Sequence, residues 1–205
     1  MRALLVAAIL LAACVAQPQR SAGPWTPPPA MQDDPAAFLD YLTREGLAWI
    51  RAERERLRPG AAELSPEQRA HFAAYFEPAT LDAVRYRVVD RIDNPGFYAD
   101  LARQGIDPPL DFTRMAGIAF IDTIAIARHE VDDADLTRLL FHEAVHVAQY
   151  RQLGDEAFMD AYVQGWAYNG FDYFSIPLER EAYRLEARFS VGEVFSVERS
   201  LAGTD

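Results

Sequence analysis

Apolar residues recur every three or four positions in some stretches of the chain and alternate in others. Phe38, Leu42 and Trp49 predict a helix over Pro35–Arg58, with Asp34 as its cap and a proline in its first turn. Its second half, Arg51 to Arg58, alternates arginine and glutamate as a solvated face does, and Pro59-Gly60 ends it. Ser65-Pro66-Glu67-Gln68 opens a second helix through Phe76, with serine as cap and Gln68 three residues on. His71 on that helix reads as a packed or surface residue. Val84 to Ile92 reads as a strand. Ile118 to Ala127 reads as two short strands turning about Asp122-Thr123, although Asp-Thr is not a favoured two-residue turn. Asp132 or Asp133 caps a long helix that Gly154 stops near Leu153. Another helix covers Asp155–Tyr168, with Phe158, Tyr162 and Trp166 on one face, and a last one starts near Pro177 and passes Phe189. The Gly/Thr/Asp tail should fray. The expected fold is α+β: N-terminal helices, a small sheet ending in the hairpin, then three helices.

The first residues do not belong to this pattern. Ala3 to Ala13 is an unbroken apolar run of eleven residues behind Arg2, too short to span a bilayer and right for a signal-peptide core. It ends Leu11-Ala12-Ala13-Cys14, and Cys14 is the only cysteine. That ending looks like a bacterial lipobox, which implies cleavage before Cys14 and a lipid anchor there. An ordinary secretory signal cut after Ala16 is the other reading. Val15 follows the cysteine, and by resemblance to Gram-negative lipoproteins this implies the periplasmic face of the outer membrane. Residues 14–35 then form a tether rich in proline, and residues 36–205 a single domain. The net charge is −11, all twenty basic residues are arginine, and no basic stripe is present, so nucleic acid is not an expected partner.

The chemistry lies in His142-Glu143-Ala144-Val145-His146, in the middle of the long helix. Residues four apart share one side of a helix, so both imidazoles can reach one ion, while Glu143 points about 100° away from His142 and can serve as a base without being a ligand. Leu139, Leu140, Phe141, Ala144, Val145, Val147 and Ala148 make this helix apolar almost all round, which marks it as buried. Buried polar groups without partners cost about 1–3 kcal/mol each, and a metal removes that cost. Ordinary residue usage gives a chance match of this motif in a chain of this length with odds on the order of 1%. Zinc needs a third protein ligand. Gln149 and Gln152 occupy the positions that the metzincin pattern gives to other residues, which excludes that class. A carboxylate in Glu179-Arg180-Glu181 is the leading candidate. About the stripe Leu178, Ala182, Leu185 and Phe189, Glu179 and Glu181 are nearly tied at about 90° and 70° from its centre, so periodicity leaves both open.

His142 to Gln149, taken with Leu178-Glu179-Arg180-Glu181-Ala182, resembles the gluzincin zinc peptidases, above all their short bacterial forms. The resemblance covers roughly residues 116–190. It implies a zincin-like domain with one Zn2+ held by His142, His146 and Glu181, the last because the ligand glutamate in that family is commonly followed by alanine. It implies hydrolysis of peptide bonds in a peptide or protein substrate, with Glu143 as base toward the zinc-activated water. It also implies that segment 118–127 binds substrate backbone by strand addition. The oxyanion donor stays open among several tyrosines and His129; His129 and Tyr183 are kept as candidates. In larger gluzincins an acid four residues after the third ligand braces a histidine. That place is Leu185 here, with Glu186 or a backbone carbonyl as substitutes. The rival expectation is a non-catalytic envelope lipoprotein in which zinc staples the fold or the domain is a binding module. Glu143 argues against it, since a staple has no use for a base.

Overall fold

The computed structural model describes residues 34–107, 110–128 and 133–204. The signal-peptide segment, Cys14, the tether up to residue 33 and His129 lie outside the described residues. Among the described residues no helix is long and apolar enough to cross a membrane.

Helix α1 (Pro35–Leu57) starts where Asp34 accepts the Ala37 N–H at 3.0 Å, and it buries Phe38, Leu42, Gly46 and Ile50. Helix α2 (Pro66–Phe72) carries the expected capping box, but it stops four residues short of Phe76 because Phe72–Phe76 turns into a further short helix, α3 (Pro78–Ala83). His71 is exposed and packs its ring edge on Phe189. Strand β1 (Arg85–Val89) follows, then the short helix α4 (Tyr98–Arg103).

Strands β2 (Gly117–Phe120) and β3 (Thr123–Ala127) form the hairpin, antiparallel with Phe120 opposite Thr123. The turn is therefore Ile121-Asp122, one residue earlier than the sequence pattern places it. Ile121 has φ +61°, at the position that type II′ turns reserve for glycine. Asp122 anchors that costly conformation. Arg54 grips its carboxylate with two bonds of 2.7 Å and Arg58 adds a contact of 2.7 Å. β1 joins β3 in parallel, so the sheet order is β1-β3-β2 and β2 is an edge strand.

β3 is buried on both faces. Ile124 and Ile126 enter one apolar cluster, with Phe72, Phe141 and Leu185, while Ala125 and Ala127 enter the other, with Ile50, Phe158 and Trp166. Helix α5 (Asp133–Leu153) packs on β2 and sends Leu139, Leu140, Phe141, Ala144, Val145, Val147 and Ala148 into the first cluster and Tyr150 into the second. Helices α6 (Asp155–Tyr168) and α7 (Pro177–Ser190) pack onto it. A final short helix, α8 (Val197–Leu201), follows α7, so α7 is not the last. The fold is α+β, mostly helical with one three-stranded sheet.

Candidate metal centre

His142 and His146 sit one turn apart on α5, both buried, with their Nε2 atoms 3.2 Å apart. The third member of the group is Glu179, whose Oε2 lies 3.5 Å from each Nε2. Three ligands about 2.05 Å from a tetrahedral ion stand about 3.3 Å from one another. The observed triangle of 3.2, 3.5 and 3.5 Å has that size. This buried group can hold a metal ion.

The hydrogen bonds behind the triangle fix its chemistry. His142 Nδ1 stands 2.9 Å from Glu186 Oε2, and a carboxylate only accepts, so Nδ1 carries the proton. His146 Nδ1 stands 2.8 Å from Gln149 Oε1. Gln149 donates its Nε2 to the Leu178 carbonyl at 3.0 Å, which fixes the amide orientation, so His146 also donates from Nδ1. Both Nε2 lone pairs therefore face Glu179 Oε2, a buried atom with no hydrogen-bond donor among the described residues. Three such acceptors aimed at one point suit a metal ion there. The charges show only that the group favours a positive charge, which without an ion is a proton on the imidazoles. Burial pulls both imidazoles toward the neutral form, but Glu179, joined at His142 by Glu186, outweighs it and raises both. Burial likewise opposes ionisation of Glu179, and the two histidines overcome it, holding the carboxyl below its usual range. Tyr162 donates to Glu179 Oε1 at 2.8 Å, which leaves Oε2 as the free ligand atom.

Glu181 is not in this group. Its side chain is half-buried, 3.8 Å from Arg184, and accepts from Gln149, so it stands behind the amide that braces His146. Glu179, not Glu181, lies beside the histidines. The reason is in the buried face of α7: Glu179, Ala182, Leu185 and Glu186. Two buried acids rotate that face by about 40° toward Glu179 relative to a stripe drawn through apolar residues alone. The start of α7 can approach because Gly165 has no side chain; a Cβ there would lie 2.7 Å from Pro177 Cδ. Glu186, seven residues after Glu179, braces His142, and Arg138 Nε lies 3.5 Å from its other oxygen.

Glu143 is buried beside the triangle. It accepts the Ala119 N–H of β2, and burial first, then Glu179, raises its pKa against the pull of the two histidines. It fits only because position 117 is glycine: a Cβ there would lie 2.8 Å from Glu143 Oε1. Tyr183 packs against His142, with ring centres 4.5 Å apart. Its hydroxyl accepts from Tyr173, and burial foremost keeps it protonated.

Glu143, His146 and Glu179 open onto a cavity of about 900 Å³, part of it continuous with solvent. Helix α1 supplies Leu42, Gly46, Trp49 and Ile50 to its wall, so the N-terminal half, which carries no motif, builds much of the site. Sequence reasoning missed this wall, the roles of Gln149 and Tyr162, and Gly117. Only Gln149 left a signal, as a polar residue on an otherwise apolar helix.

No family model, characterised protein or solved structure matches the chain.

Proposed function

We propose that this chain is a zinc-dependent hydrolase of peptide bonds, related in its site to the gluzincins. The observation that carries the reading is a buried triangle of two imidazoles and one carboxylate with a further buried carboxylate, Glu143, beside it on the same cavity. His142, His146 and Glu179 would hold the ion. When bound, zinc supplies a Lewis acid that polarises a carbonyl and acidifies water. Glu143 takes the proton of the attacking water on its carboxylate and returns it to the leaving nitrogen. Its raised pKa suits a group that must hold that proton for part of the cycle. Glu186 and Gln149 keep the imidazoles in the Nδ1–H form, and Tyr162 aims the Glu179 carboxylate. β2 is an edge strand and lends Gly117, Ile118 and Ala119 to the cavity wall, which suits it to pair with substrate backbone. The lipobox-like segment ending at Cys14 would tether this activity to the cell envelope.

A zinc staple would need four protein ligands. Among the described residues three converge, and the group borders a cavity, which favours catalysis. The test is Glu143→Gln, a near-isosteric change that removes the base. It should keep zinc and lower hydrolysis of a peptide mixture by at least ~100-fold. A variant that cleaves as fast as the wild type takes Glu143 out of the reaction.

A further inference from the structure

The cavity beside the metal group is lined almost wholly by apolar and aromatic side chains. It runs from Glu143, His146 and Glu179 to walls from three different parts of the chain: Trp49 on α1, Phe97 and Tyr98 around α4, and Trp166 on α6. Apart from Glu143, His146 and Glu179, the polar atoms on its lining side chains belong to tyrosines and tryptophans.

One of those tyrosines stands out. Tyr150 is one turn beyond His146 on α5, is 4% exposed, and stacks on Phe158 with ring centres 3.6 Å apart. Its hydroxyl is buried and has no hydrogen-bond partner among the described residues. A buried hydroxyl left unmatched is disfavoured, and phenylalanine would pack equally well there. A hydroxyl kept in an apolar cavity beside a reactive centre has a use if the ligand brings the acceptor.

Building on the zinc-hydrolase reading, we infer that the substrate carries a long hydrocarbon chain next to its scissile amide, and that the chain fills this cavity and presents one hydrogen-bond acceptor to Tyr150. Water adds to the amide carbonyl carbon, the C–N bond breaks, and Glu143 carries the proton to the departing nitrogen. The products are a carboxylic acid and an amine. Specificity then rests on the chain more than on peptide sequence.

The test uses hydroxamates and plain alcohols with 2, 6, 8, 10 and 12 carbons, titrated against the whole protein by the fluorescence of Trp49 and Trp166, both in the cavity wall. On zinc-loaded protein, hydroxamate affinity should rise up to ~3–4-fold per buried methylene. On zinc-stripped protein, the alcohols should show the same length dependence. Flat profiles in both series overturn the inference, even if acetohydroxamate binds and the zinc reading stands. Length-dependent alcohol binding without any hydroxamate effect leaves the chain pocket in place and overturns the zinc reading. Gly46→Leu and, independently, Val163→Phe narrow the cavity and should abolish the gain beyond 6 carbons without altering acetohydroxamate binding; unchanged profiles in folded forms of both contradict the placement of the chain. For Tyr150, 12-carbon hydroxamates with one keto oxygen moved along the chain should include a position that binds ~3–10-fold more weakly to Tyr150→Phe than to wild type, while the plain chain binds both equally. If no position responds, Tyr150 does not recognise an acceptor.

Discussion

Gln149→Leu tests whether the layer behind the ligands governs the site. Gln149 is 2% exposed, its Oε1 takes the His146 Nδ1 proton at 2.8 Å, and its Nε2 is tied to the Leu178 carbonyl at 3.0 Å. Leucine has a similar volume, so the change deletes hydrogen bonds with little change in packing. It leaves the His146 Nδ1–H buried without an acceptor, which costs about 1–3 kcal/mol. It also frees the imidazole to turn or to change tautomer, which would withdraw Nε2 from the triangle. Loss of such an outer partner typically lowers metal affinity about 10–100-fold. A competitive chelator titration of zinc, with far-UV circular dichroism to confirm folding, measures this directly. Gln149→Glu is the companion. It can still accept from Nδ1 but cannot donate to Leu178, so it should retain more affinity than Gln149→Leu while losing stability. A folded Gln149→Leu protein that binds zinc within twofold of wild type would refute the reasoning.

Gly117→Ala should leave zinc affinity unchanged and reduce hydrolysis by roughly 100-fold, because the new Cβ would stand 2.8 Å from Glu143 Oε1 and 3.1 Å from its Cγ and Cδ, and the carboxylate must move. Steady-state kinetics beside a zinc titration check this; an unchanged rate contradicts it. Asp122→Asn should lower stability in urea by about 2 kcal/mol, the pair with Arg54 and Arg58 being only partly buried. Burial raises the Asp122 pKa, but Arg54 and then Arg58 outweigh it, so the folded value is lowered. The stabilisation is therefore complete above the ordinary aspartate pKa of about 3.9 and is lost as pH falls through the lower folded value. Wild type should lose more stability than Asp122→Asn on going from neutral pH to below about pH 4. Parallel pH profiles from urea melts would contradict this assignment.

The helices were legible in the sequence wherever apolar spacing and a cap coincided, as at Asp34 and Ser65. The hairpin was legible too, but its turn was misplaced by one residue. Ile121 takes a conformation that its own chemistry disfavours, and the force that holds it there, Arg54 and Arg58 on Asp122, comes from some 65 residues away. Short helices such as Tyr98–Arg103 have too few residues to show a period. In the site, His142, Glu143 and His146 could be read from spacing alone because they share one helix. Glu179 could not, because binary patterning counts acids as outward-facing, and α7 buries two of them against histidines. The family habit of glutamate before alanine pointed to Glu181, which lies instead on Gln149. The apolar cavity wall from α1 was illegible because nothing local distinguishes a residue that lines a cavity from one that fills a core.

The most direct measurement is zinc content and affinity in wild type, Glu179→Ala and Glu181→Ala, purified in parallel and titrated with a competing chelator. Wild type should hold one zinc per chain. Glu179→Ala should weaken binding by at least ~100-fold, since it removes a ligand and not merely its support. Glu181→Ala should stay within several-fold of wild type. A wild-type protein that takes up no zinc after reconstitution, or a Glu181→Ala loss equal to or larger than that of Glu179→Ala, would contradict the site described here.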